Sequence, residues 1–479
     1  TLAGKLDEKI VSLPKDRPAT YPQFQSYSRR LFIKNIFNNI DYEGGFQMQG
    51  ASLLGYGTSE ELAQLILYRN NVKFMKSLST LFTIKPESVD AEKAQSVIYI
   101  EKDSISHNFI RFKYQKSENK VTLSRNKEGL SQSPFTNTYH KIDMYFEAIY
   151  WKLDDPVMEM GALFGNTDKS ARFESSNYFS INKYNEIQGM DAVHPMVPIE
   201  QLSIRKDTTI LLLSEVASFM GKPTNQILPV IGALNNGGFI SYHPDKELIV
   251  VKKKLYDYLK ARAKKIDYDP IDFDSEVDGS QQNATLNLLS YDLTIRGVKK
   301  VNLSDSQFVR IYPDKQELVL RKNRDMKFSG IVNAGSTEFF GKEFFFSYAD
   351  YKIDLLQCDS MRLRVWPFEG RGDKQIRLKS VIRGVKGTVT IDGKENKSGL
   401  KKGFEKYPIL NSTQPTYVFY NDKSIHKGVY DSSSFYFKVD PFVMDSLDNF
   451  RAKAQRFPGE FKSAGIFPVF REELYVQKD

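Results

Sequence analysis

Asp274, Glu276, Asp278 and Gly279 form the most metal-like run in the chain. Carboxylates at alternate positions followed by a glycine for the turn are how a calcium loop begins. The bidentate acid that closes such a loop would fall at position 285, which is Thr285. Ca2+ is therefore the one cofactor on offer, and a solvated acidic linker is the preferred reading of the run. The five histidines, His107, His140, His194, His243 and His426, show no i, i+4 pairing. No His-Glu-x-x-His, Walker loop or Gly-x-Ser-x-Gly occurs, so no catalytic residue is assigned. Cys358 is the single cysteine. It excludes a disulfide framework and any multi-cysteine metal cluster, and reads as a small buried strand residue.

Positive charge is the second chemical resource. Lys plus Arg number 68 against 59 Asp plus Glu, a formal net charge of +9. Two stretches concentrate it, one from Lys252, Lys253 and Lys254 to Lys265, the other from Arg371 to Lys402 with Arg377 and Lys379. Such patches suit a polyanion: an acidic glycan, lipid headgroups or nucleic acid. The competing reading is lysine exposed on strands to block edge pairing. Tyr417, Phe419, Tyr420, Tyr430, Phe435, Tyr436 and Phe437 crowd one region, as sugar-stacking faces do. Their alternation is equally that of packing between sheets, which is preferred. No spacing marks out the carboxylate pair of a glycoside hydrolase.

These groups must be held mainly by strands. Runs such as Gln64–Tyr68, Ser96–Ile100, Phe109–Tyr114 and Val121–Arg125 are short, branched or aromatic, and separated by polar clusters, the pattern of antiparallel strands. Phe308–Tyr312 and Glu317–Arg321 flank Pro313–Gln316, which predicts a hairpin. Gly45, Gly50 and Gly55 are echoed by Gly330, Gly335 and Gly341, glycines in strand-like sequence that mark turns or close backbone approach. Met444–Gln455 is the best helix candidate of the last third. The longest apolar run, Ile210–Met220, is broken by Ser214, Glu215 and Ser218 and is too short to span a bilayer.

Between Pro198 and Ala263 the period changes. Leu212, Val216, Phe219 and Met220 share one helix face, and Ile227, Val230, Ile231 and Leu234 another. A hairpin over Phe239–Val251 and a helix over Leu255–Ala263 follow. This order over residues 209–263, carried by Gly221, Ile227, Leu234, Gly238 and Ile240, resembles a winged-helix module. The resemblance implies a recognition helix, yet that helix offers Thr224, Asn225, Gln226 and Pro229 and no arginine. Docking is thus preferred over nucleic-acid binding.

The expected fold is mainly β and multidomain, with antiparallel β-rich layers or sandwiches flanking a small helical domain. Its boundaries are 1–195 β-rich, 196–266 winged-helix-like, 267–283 acidic linker and 284–479 β-rich. Thr1 and the strand-like Glu473–Val476 suggest a segment excised from something longer. The Lys-, Asn-, Phe- and Tyr-rich composition, with Tyr407-Pro-Ile-Leu and Ser463-Ala-Gly-Ile-Phe-Pro468, resembles large β-rich cell-envelope proteins of Bacteroidetes-type bacteria. That resemblance implies a cell-envelope or secreted location. The leading expectation is a non-enzymatic structural or interaction segment of an envelope or surface protein, presenting a β surface to a protein, acidic glycan or lipid headgroup. A carbohydrate-active enzyme with carboxylates assembled by the fold, and nucleic-acid binding through the winged-helix-like module, are the alternatives.

Overall fold

The computed structural model describes residues 3–11, 19–50, 52–126, 129–167, 169–189, 192–366, 375–378, 380–402, 406–423, 425–448 and 456–475. The protein is mainly β as expected, with 51% strand and 15% helix. It divides into two compact units. The first comprises Thr1–Ser176, Ser180–Arg262 and Glu276–Leu293, the second Asn177–Phe179, Ala263–Ser275 and Thr294–Asp479. No helix among the described residues is long and apolar enough to cross a membrane.

In the first unit, Ser88–Ile100 and Asp103–Gln115 pair antiparallel along most of their length. Val89, Ala91, Ile98 and Ile100 are buried on one strand, and Ile105, Ile110, Phe112 and Tyr114 on the other; alternate side chains share a face, and the phase switches at the register shifts between His107 and Phe112. Ala63–Arg69 and Val72–Ser79 join through Asn70 and Asn71, both left-handed at φ +51° and +61°. This is the asparagine-tolerant geometry that matches the twist of a hairpin.

The helices are α1 (Ile181–Gln188), α2 (Met196–Lys206), α3 (Leu213–Met220), α4 (Thr224–Asn236) and α5 (Lys253–Arg262). Gly221 ends α3 in the left-handed conformation, φ +64°, as its position predicts. Strands Ile210–Leu212, Leu248–Val251 and Ile240–His243 make a small antiparallel sheet of their own. Helix α1 buries no residue and so has no apolar stripe for periodicity to detect.

The second unit is built on a meander in which Val309–Leu320, Met326–Ala334, Thr337–Ser347, Lys352–Val365 and Ile382–Thr390 pair in succession. The hairpin expected at Pro313–Gln316 does not form. Val309–Leu320 is one strand, and its register against Met326–Ala334 jumps between Pro313 and Leu318. Lys315 and Gln316 take positive φ there, so the extra residues bulge out and the same partner strand pairs with both flanks. Nor does a helix start at Met444. Val443–Met444 is a short strand and Leu447–Asp448 a turn, while 449–455 lie outside the described residues. The two glycine echoes are alike in one respect. Gly50 (φ +59°) and Gly335 (φ +57°) each sit at the tip joining two paired strands.

Candidate functional site

On the strand Lys352–Val365, Met361, Leu363 and Val365 are buried in the core of the second unit. Pleating therefore sends Arg362, Arg364 and Trp366 to the opposite face. Register carries that face across the sheet. Arg310 stands opposite Asn333, Asn333 opposite Glu338, Glu338 opposite Arg362, and Arg364 opposite Arg377. Cross-strand partners on one face lie about 5 Å apart at Cβ, so four strands and a fifth short one deliver a continuous polar row.

This row walls a cavity of about 730 Å3, lined by Arg310, Asn333, Arg364, Trp366 and Arg377. Such a volume falls in the range of small-molecule sites, about 300–1,000 Å3. Glu338 is almost fully buried and pairs with both Arg364 and Arg377, the Arg377 Nε lying 3.0 Å from its Oε2. Arg310 is half-buried and has no side-chain partner among the described residues. The Oδ1 of its register partner Asn333 is buried and accepts no hydrogen bond. One carboxylate thus answers two of the three arginines, leaving an unpaired guanidinium beside an unsatisfied acceptor.

Two aromatic rings complete the wall. Trp366 is half-buried, while Phe308 is 57% exposed and held at φ +55°. A bulky residue in the left-handed region is an outlier, and strain of this kind gathers at ligand clamps. The far wall is fixed by close packing. Gly335 has no Cβ, and one built there would fall 2.4 Å from the Asp448 Cα. Ser336 Oγ donates to the Asp448 carbonyl at 3.3 Å and accepts from Gln375 Nε2 at 2.7 Å.

Of the residues named from sequence, Arg377 lies in this cavity, while Arg371 and Lys379 fall outside the described residues. The Lys252–Lys254 group is placed elsewhere, in the first unit. Lys254 Nζ sits 2.5 Å from Asp143, 2.6 Å from Glu174 and 3.1 Å from the Gly237 carbonyl. Burial opposes its charge, but the two carboxylates more than offset that and raise its pKa well above the ordinary lysine value. Burial also opposes the charge on Glu174, yet Lys254 and Lys183 hold its carboxyl down at about 2. The positive charge of Lys254 is thus consumed inside the fold. Lys253 is exposed and pairs with Asp257 at 2.5 Å, and burial lowers the Lys252 ammonium.

Asp274 and Glu276 are exposed on the strand Asp272–Glu276, and Asp278 is exposed just after it. Among the described residues, no three His, Cys, Asp or Glu side chains gather closely enough to hold a metal ion. Cys358 is buried in its strand, and burial pushes its thiol up to about 12, well above the range of reactive thiolates. In the aromatic-rich region Phe437 is buried as core, while Tyr417 and Phe419 stack at 5.9 Å with Tyr436 against them.

Sequence reasoning missed Arg310, Asn333, Arg364 and Trp366. One signal was present: Met361-Arg-Leu-Arg-Val-Trp366 alternates strictly, placing two arginines and a tryptophan on one strand face. Comparison of the chain with family models, with curated proteins and with solved structures returned no match.

Proposed function

We propose that the chain is a non-enzymatic interaction segment of a large cell-envelope or surface protein, and that its second unit holds an acidic glycan in the arginine-lined cavity. The carrying observation is the pairing of Arg310, a half-buried guanidinium without a partner among the described residues, with the unsatisfied Oδ1 of Asn333. An anion answers the first, since guanidinium binds carboxylate or sulfate through parallel donors. A hydroxyl donor answers the second once the Asn333 carboxamide turns toward the cavity it lines. The apolar faces of Trp366 and Phe308 suit the C–H face of a pyranose ring. A sugar carrying an acid group presents all three features together, whereas a phosphatidylglycerol or phosphatidylserine headgroup offers charge without a ring to stack. In this reading α2 to α5 form a winged-helix-like docking module, because the deepest of their lysines, Lys254, is already neutralised from within.

Calorimetric titration tests the proposal. An oligosaccharide containing glucuronate should bind, its neutral glucose counterpart should bind at least about tenfold more weakly, and Arg310→Gln should abolish the difference. New reducing ends appearing on prolonged incubation with the purified chain would contradict the non-enzymatic part. Equal affinity for acidic and neutral sugars would contradict the site.

A further inference from the structure

A second cavity of the same unit adjoins the arginine-lined one. It measures about 750 Å3, and Asp448 lines both. Three lysines, Lys401, Lys402 and Lys406, lie on its wall with Tyr407 and the acids Asp392 and Glu395. No described acid pairs with any of the three lysines.

The loop carrying Lys401 and Lys402 is pinned rather than loose. Asp392, 2% exposed, accepts hydrogen bonds from Gln307 Nε2 at 2.6 Å and Asn396 Nδ2 at 2.9 Å. Asn396 in turn grips the Lys401 backbone, accepting its N–H at 2.8 Å and donating to its carbonyl at 3.0 Å. Asp267 fixes the same loop through the amides of Lys397 and Ser398 at 2.7 and 3.0 Å. Unpaired cations on a braced loop beside a cavity form a prepared anion site, because little ordering entropy remains to be lost on binding.

We infer that one extended glycan chain occupies both cavities, an acidic sugar at Arg310 and another at Lys401 and Lys402, with a neutral sugar across Asp448 between them. This rests on the acidic-glycan reading above. Charge along the path is mixed: positive at the arginines, negative at Asp448, and at the lysines positive with the exposed Glu395 on the same wall. A uniform polyuronate would place a carboxylate against Asp448. A chain alternating uronate with a neutral N-acetylhexosamine carries half the carboxylates and suits such a mixed path better.

The test is a calorimetric length series of alternating glucuronate–N-acetylglucosamine oligomers, from disaccharide to hexasaccharide, on the full chain. The wild type should gain about tenfold or more in affinity along the series, as linked contacts act at high effective concentration. Lys401→Gln/Lys402→Gln should keep the disaccharide affinity and lose most of the gain, at unchanged melting temperature. No gain with length, a gain that the lysine variant leaves intact, or an oligogalacturonate of equal length binding as tightly overturns the inference. Disaccharide binding that is absent, or that Arg310→Gln leaves unchanged, instead sinks the underlying reading of the arginine cavity. Vesicles of phosphatidylglycerol captured more strongly than the hexasaccharide would overturn both.

Discussion

Arg310 and Asn333 face each other from neighbouring antiparallel strands, a guanidinium without a described partner beside a buried carboxamide oxygen that accepts nothing. An unsatisfied buried acceptor costs about 1–3 kcal/mol. A fold selected for stability alone would have filled the position with an apolar residue. Asn333→Leu is therefore expected to raise the melting temperature while weakening acidic-glycan binding by about tenfold, the trade-off of a site kept for binding. Differential scanning calorimetry and titration on the same variant check both halves. Arg310→Lys should also weaken binding, since an ammonium cannot make the two parallel bonds of a guanidinium.

Lys254 joins helix α5 to two acids on strands of the first unit, Asp143 and Glu174. Removing its charge leaves Asp143 buried without a described ion-pair partner, while Glu174 keeps Lys183 and Arg172. Lys254→Met should cost about 3–5 kcal/mol, the usual penalty for breaking a buried ion pair from one side. A urea titration followed by the fluorescence of Trp151, which is buried in that unit, measures the loss.

Stability should fall with acid, and two buried histidines carry an assignable part of the fall. Buried His107 donates from Nε2 to the Ser133 carbonyl at 2.9 Å and accepts from the Phe109 amide at Nδ1. His140 donates to the Tyr291 carbonyl at 2.9 Å and accepts from Asn137. Burial lowers their pKa values to about 3 and about 4. Both stay neutral when folded, whereas unfolded histidine takes a proton near pH 6.5. Their contribution is therefore complete above about pH 6.5 and is lost as pH falls toward 3–4, each group adding up to about 1.4 kcal/mol per pH unit. Urea midpoints measured between pH 7 and pH 4 should decline, and the His107→Gln/His140→Gln variant should decline less steeply.

Gly335 should not tolerate a side chain. Its φ is +57°, and a Cβ would strike the Asp448 backbone at 2.4 Å. Gly335→Ala is expected to cost about 1–3 kcal/mol. Because Asp448 lines both cavities, the same variant should weaken long oligosaccharides more than short ones, which a length series on this variant checks.

Local pattern in the sequence is enough to find most strands, the stop of α3 at Gly221 and the burial of Cys358, because each depends on a few neighbouring residues. Residues brought together from afar are not legible in this way. Asp269 reads only as one acid in a polar run, yet it is fully buried, accepting from Tyr348 at 2.7 Å and facing Arg324 at 3.4 Å. The bulge at Lys315 and Gln316 mimics a hairpin because its turn residues are genuine. Only the strand paired to both flanks distinguishes the two. The same holds for the cavity. Charge density points to Arg377, while Arg310 lies more than sixty positions earlier and joins it through the register of intervening strands.

The chain has 2 tryptophans, and one of them lines the proposed site, which allows a direct measurement. Trp151→Phe leaves Trp366 as the single reporter. Titrating that variant with a glucuronate-containing oligosaccharide should shift and saturate its emission with the affinity found by calorimetry. Adding Arg310→Gln should remove the change. Calorimetric binding that leaves the Trp366 emission unmoved would place the ligand elsewhere and contradict the account.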